Sequence, residues 1–281
     1  MPAILYFTAG NKMTTHWPVE IVGNARNPAL LFLHGFMGSS RDWLTIAATL
    51  ADEYFCILPD LPGHGTNTHL SLDAALDFDI LCVGLEQLLG GLSLQQATWV
   101  GYSMGGRAAL YFAVKYPHRV EKLVIESANP GIENPVERDK RAALDDRRAL
   151  QLLAGGMDSF VESWYNLELF ASLKRFPQLW EPTKKQRKLN NPQWAAKIIR
   201  ELSPGRQPSL WPHLSGLNMP VLLLAGGLDE KYTALVGQME AMIPAATVHV
   251  VPNAGHNIHL EQPQDFAGRL KRFVRSQPES N

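Results

Sequence analysis

The stretch Trp99-Val100-Gly101-Tyr102-Ser103-Met104-Gly105-Gly106-Arg107 decides the fold. Ala97–Val100 reads as a buried strand, and Met104–Tyr116, rich in Ala, Leu and Phe, reads as a helix. Between them Ser103 has a glycine two residues away on each side. That is the G-x-S-x-G elbow, a strand-to-helix turn so sharp that only glycine lets the neighbouring backbones pass. The turn lifts the Ser103 hydroxyl above the sheet and aims the first free N–H groups of the helix beside it.

Outward from the elbow the chain alternates apolar strands with helices. Val19–Gly23 alternates in polarity and predicts a half-exposed strand near an edge. Ala29–Leu33 and Tyr54–Leu58 are continuous apolar runs, as expected of strands covered on both faces. Helices are expected around Trp43–Leu50 and Leu72–Leu89, and a further strand at Glu121–Glu126. From Ile132 to Leu217 no strand pattern appears, only helical patterns broken by Gly155-Gly156 and by prolines. Alternation resumes with the strand Val221–Ala225, a helix at Tyr232–Met242, the strand Thr247–Val251 and a helix at Pro263–Val274. The pattern predicts an α/β fold, a mostly parallel central sheet flanked by helices, with an all-helical lid insertion. Residues 1–131 and 218–281 form the expected core, and 132–217 the helical cap. A cap entering after a strand's carboxyl end sits over the crevice where such sheets bind ligands.

With 281 residues the chain can bury a large core, and its formal net charge of −1 without a polybasic stretch points away from nucleic acid and anionic membranes. Cys56 and Cys82 have no metal-ligand or redox spacing and read as buried, reduced thiols. No apolar run is long enough to span a bilayer, and Met1–Phe7 lacks the basic lead of a signal peptide. A cytoplasmic protein is expected, its start at Met1 or Met13, with a loose tail over Ser276–Asn281.

Ser103 needs a base, and the base an orienter. In the chain order Ser…Asp…His, Asp229 follows Val221–Ala225 and His256 follows Thr247–Val251. Taken alone, Asp229 is equally a helix N-cap and His256 a polar loop residue; the pairing at successive strand ends favours catalysis. The oxyanion hole is expected from the N–H of Met104 and that of Phe36, in the loop His34-Gly35-Phe36. His34 and His64 read as structural hydrogen-bonders. The histidines do not cluster as metal ligands.

The motifs His34-Gly35-Phe36, Asp60-Leu61-Pro62-Gly63-His64-Gly65, Gly101-Tyr102-Ser103-Met104-Gly105 and Ala254-Gly255-His256 resemble the α/β-hydrolase superfamily over nearly the whole chain. Arg107 stands in the first turn of the nucleophile helix, where a cation opposes the helix dipole, so an anion to meet is its expected reason; a salt bridge to a nearby carboxylate is the alternative. Glu126–Glu133 leads into a cap carrying Arg138, Arg141, Arg147, Arg148 and the run Ser163-Trp164-Tyr165. These details resemble the 2-succinyl-6-hydroxy-2,4-cyclohexadiene-1-carboxylate synthases of menaquinone and phylloquinone biosynthesis. The match is specific at the elbow and over Glu126–Arg141 and loose after Leu173.

The resemblance implies a lyase in which the triad Ser103, Asp229 and His256 acts as a base and expels pyruvate from a cyclohexene polycarboxylate. It further implies Tyr102, Arg107, Arg141, Trp164 and, less directly, Arg187 as substrate-binding residues. The implied partner is a small-molecule polycarboxylate, with no cofactor, metal, nucleic acid or membrane; oligomeric state stays open, a monomer included. Arg141 and Asp145, four apart, equally allow an ordinary surface ion pair. Two other functions share the fold: a serine-triad esterase or carbon–carbon bond hydrolase, and a non-catalytic ligand receptor.

Overall fold

A single mixed sheet runs through the computed structural model, which describes residues 3–6 and 17–276. The readings placed on Met1, Phe7, Met13 and residues 277–281 lie outside the described residues. In chain order the strands are β1 (Ala3–Tyr6), β2 (Pro18–Val22), β3 (Ala29–Leu33), β4 (Phe55–Pro59), β5 (Ala97–Tyr102), β6 (Val120–Glu126), β7 (Val221–Gly226) and β8 (Ala246–Val251). The helices are α1 (Leu44–Ala48), α2 (Phe78–Gly91), α3 (Met104–Lys115), α4 (Pro135–Tyr165), α5 (Pro177–Arg187), α6 (Pro192–Glu201), α7 (Glu230–Glu240), α8 (Ile258–Glu261) and α9 (Pro263–Arg275).

Across the sheet the order is β1-β2-β4-β3-β5-β6-β7-β8. β2 runs antiparallel to β1 and β4, and every pair from β4 to β8 is parallel. The expected mostly parallel α/β fold is therefore the one observed. β2 lies near the edge as expected, one strand in, with β1 pairing beyond it; Glu20 is buried while Ile21 and Val22 are partly exposed.

The continuous apolar runs follow from helices on both faces. Leu31, Leu33 and Trp99 join Leu85 of α2 and Phe112 of α3 on one side, with Trp99 stacked on Phe112 at 4.0 Å. Leu30, Phe32 and Val100, one residue out of phase, join Trp43, Ile46 and the Phe266 and Leu270 of α9 on the other. α2 begins later than its apolar pattern predicts, because Asp77 caps it by accepting the Ile80 N–H at 2.8 Å while Leu72 stays exposed.

Between β6 and β7 the described residues hold helices and short 3₁₀ turns only. α4 starts at Pro135 behind Asn134, whose Oδ1 accepts the N–H of Val136 and Glu137. It breaks at Gly156, with φ 74° and ψ 176°. Leu152, Phe160, Val161, Phe170, Leu173 and Ile199 form a separate small core there, and Met37 of the loop after β3 plugs into it.

Candidate active site

The elbow's glycines are required by close approach. A Cβ on Gly101 would lie 2.5 Å from the Gly105 oxygen, and one on Gly105 only 2.3 Å from the Leu33 oxygen. Ser103 itself holds φ 50° and ψ −109°, a strained backbone of the kind stored at functional turns. β5 ends at Tyr102 and α3 begins at Met104, so one residue makes the whole reversal.

Asp229 and His256 arrive from the ends of β7 and β8. The Ser103 Oγ–H donates to His256 Nε2 at 3.2 Å, and His256 Nδ1–H donates to Asp229 Oδ2 at 2.9 Å. The carboxylate opposite Nδ1 assigns the proton to that nitrogen and leaves Nε2 free to accept. Asp229 is at the same time the N-cap of α7, its Oδ1 accepting the Tyr232 N–H at 3.2 Å. Both readings of that aspartate hold at once: the cap fixes the carboxylate that fixes the imidazole. An imidazole so held takes the proton of a serine hydroxyl.

A cavity of about 890 Å³ opens over Ser103, between the strand ends and the insertion. Phe36, Met104, Arg107, Arg141 and Trp164 all line it. Met104 is the first residue of α3, so its N–H has no partner within the helix. Trp164 rests edge-on against Phe36 at 5.2 Å and stacks on Phe160.

The cations Arg107, Arg141, Arg148, Arg175 and Lys231 line this cavity, beside the carboxylates Asp145, Glu168, Asp229 and Glu230. Arg107 is buried at 7% exposure, lies 5.2 Å over the Phe78 ring, and donates from Nη1 to Gln207 Oε1 at 3.0 Å. Among the described residues no carboxylate comes within 4 Å of it. Burial first, and Arg141 second, push its guanidinium down to about 10, which leaves it charged at neutral pH. Arg141 Nε and Arg148 Nη1 share the fully buried Asp145 at 2.8 and 3.0 Å, and Ser203 Oγ donates to the same carboxylate. The Arg141–Asp145 pair is thus present, but buried on the carboxylate side and part of a three-way cluster instead of a surface pair.

Two expected binding residues lie elsewhere. Tyr102 does not line the cavity; it backs the site, its ring 5.4 Å from that of His256 and 4.8 Å from that of His259. Arg187 is turned away, clamped on Asp42 by two bonds of 2.9 and 2.8 Å while Nε donates to the Tyr165 hydroxyl. It borders a different depression, with Gly38, Asp60 and Asn190. Asp42, from the loop after β3, takes both terminal nitrogens of the guanidinium and Tyr165 the third.

His34 ties two loops, Nδ1–H donating to the Gly35 oxygen and Nε2 accepting the Leu61 N–H. His64 Nδ1–H donates to the Pro62 oxygen. Gln207, Tyr232, Ser172 and Glu261 had no sequence signal: Gln207 meets Arg107 across 100 residues and Ser172 meets Glu261 across 89. Tyr232 lies 4.7 Å from the His256 ring. Glu261 accepts the Gly255 N–H at 2.9 Å and the Ser172 hydroxyl at 2.8 Å, tying the His256 loop to the insertion.

The family model described as alpha/beta hydrolase fold matches residues 28–263. A putative 2-succinyl-6-hydroxy-2,4-cyclohexadiene-1-carboxylate synthase of Bacillus subtilis (strain 168) is 35% identical over 90% of this chain and 93% of its own. Protein PHYLLO, chloroplastic, of Arabidopsis thaliana is 32% identical over 91% of this chain, which spans only 16% of that longer protein. The solved structure of MenH from S. aureus superposes with a TM-score of 0.88 at 34% identity, covering 93% of this chain and 98% of that one.

Proposed function

We infer that this chain, which belongs to the α/β-hydrolase fold family and within it to the 2-succinyl-6-hydroxy-2,4-cyclohexadiene-1-carboxylate synthases, is a lyase. In this reading it eliminates pyruvate from 2-succinyl-5-enolpyruvyl-6-hydroxy-3-cyclohexene-1-carboxylate. The observation that carries the reading is the cationic wall beside Ser103: an arginine with no acidic partner, next to two arginines sharing one carboxylate. A neutral ester needs none of them; a ring bearing three carboxylates does.

The chemistry follows from the triad. Ser103 passes its proton to His256 Nε2 and removes the ring proton beside the succinyl ketone, while Asp229 steadies the imidazolium. The electron pair moves onto the ketone oxygen, which the N–H groups of Phe36 and Met104 receive. Its return through the ring breaks the bond to the enolpyruvyl oxygen, and the released enolpyruvate takes a proton to become pyruvate. The step conserves electrons and needs no added oxidant or reductant. Arg107, Arg141 and Trp164 hold the substrate, and residues 132–217 serve as the cap over it.

Purified protein given the authentic precursor is expected to release pyruvate stoichiometrically. Ser103→Ala should lower kcat by ~10³-fold or more while ligand binding persists. Rapid turnover of neutral esters with no pyruvate released would overturn the lyase reading.

A further inference from the structure

Gln207 is fully buried, and its amide does one visible thing: Oε1 accepts the Arg107 Nη1–H at 3.0 Å. The other end of the amide, Nε2, is buried with no hydrogen-bond partner among the described residues. An unsatisfied buried donor is costly, so the arrangement calls for a reason. A glutamate of the same shape would remove that orphan and pair with the arginine. It would also cancel the charge. A methionine would fill the same space and leave Arg107 without its acceptor.

The segment around Gln207 is tied down on both sides. Its own N–H donates to the Ser203 oxygen at 3.0 Å, and Ser203 Oγ donates to Asp145, beneath Arg141 and Arg148. Three residues on, Leu210 N–H donates to the Pro130 oxygen at 2.7 Å. The amide oxygen therefore meets the guanidinium from a rigid mount, and Phe78 holds the other side of that group.

We propose that Gln207 is the positioning residue that sets anion specificity at this site: a neutral acceptor that orients Arg107 while leaving its full positive charge for a substrate carboxylate. This rests on the proposed function for the identity of the substrate, though not for the class of ligand, which is a polycarboxylate. A partner that only filled space would tolerate Gln207→Glu and gain stability from it.

The experiment measures KM and kcat for pyruvate release, and separately titrates propane-1,2,3-tricarboxylate into the same proteins by calorimetry. Gln207→Glu is expected to raise KM, and the Kd of the tricarboxylate, by ~10- to 100-fold, with kcat at saturation within a few-fold and Tm no lower. Gln207→Met should raise both constants and lower Tm, and it stands in if the glutamate variant does not fold. Unchanged KM and Kd in both variants would overturn the proposal. Loss of tricarboxylate binding in a protein that never releases pyruvate would uphold Gln207 and sink the lyase reading alone.

Discussion

Arg107 and Arg187 carry the same side chain into opposite situations. Arg187 is fully engaged by Asp42 and Tyr165, whereas Arg107 meets one neutral amide and faces the cavity over Ser103. Removing the first leaves the part-buried Asp42 carboxylate without its partner, a change whose cost approaches that of breaking a fully buried pair, about 3–5 kcal/mol. Arg187→Ala is thus expected to lower the denaturant midpoint strongly and leave KM within a few-fold. Arg107→Ala should instead raise KM ~10- to 100-fold through a lost charge-assisted bond, with a smaller loss of stability because it leaves a neutral amide, not a carboxylate, without its partner. Chemical denaturation and steady-state kinetics on both variants check the contrast; a large KM defect in Arg187→Ala would return that residue to the site. Sequence could not separate the two, because the partner that decides for Arg187 stands 145 residues away. Arg107 was legible because it lies in the same turn as the serine, where local spacing alone fixes its place.

Elements were legible wherever the deciding contact was local. The apolar run Ala29–Leu33 requires cover on both faces whatever the partners are, and Ser103 between two glycines forces the strand-to-helix turn. β2 lies one strand in from the edge, as its alternation indicates, and only its pairing with β1 and the burial of Glu20 are beyond local reading. The insertion was recognisable as helical, and Gly155-Gly156 as a break, but how α4 bends there is a matter of three-dimensional packing. Gly156 holds φ 74° and ψ 176°, a region essentially reserved for glycine, although no atom lies within 4 Å of where a Cβ would stand. The barrier to substitution is therefore backbone strain without a clash. Beyond the bend α4 carries Phe160 and Trp164 against Phe36 over the cavity. Gly156→Ala is expected to cost about 1–3 kcal/mol of stability and to raise KM as Trp164 shifts. Unchanged thermal unfolding and an unchanged KM would show that the bend is not needed.

At the scale of the whole molecule, the loops after β3 and β4 are knotted together at the carboxyl edge of the sheet by two buried neutral histidines. His34 bridges them through Leu61 N–H, and His64 packs beside it with ring centroids 5.0 Å apart. Burial is the leading cause that lowers both; His64 is brought from 6.5 to about 3, since a proton added at Nε2 would find no acceptor. The unfolded chain therefore binds more protons than the folded one below the ordinary histidine range. The contribution of His64 is complete above about pH 6.5 and is lost as the pH falls toward about 3. Within that window each such histidine adds a slope of up to ~1.4 kcal/mol per pH unit. Asp42, held below the usual carboxylate range by Arg187 against its own burial, acts in the same direction but at lower pH, below its ordinary value of 3.8. The two windows can be told apart. Unfolding free energies from urea titrations at pH 7, 6, 5 and 4 should fall steadily in the natural protein and less steeply in His64→Gln, which keeps the share of His34, whatever that variant's stability at pH 7. An equal slope in both would mean that His64 is protonated freely in the folded state, and that the knot at the sheet's edge is looser than its hydrogen bonds indicate.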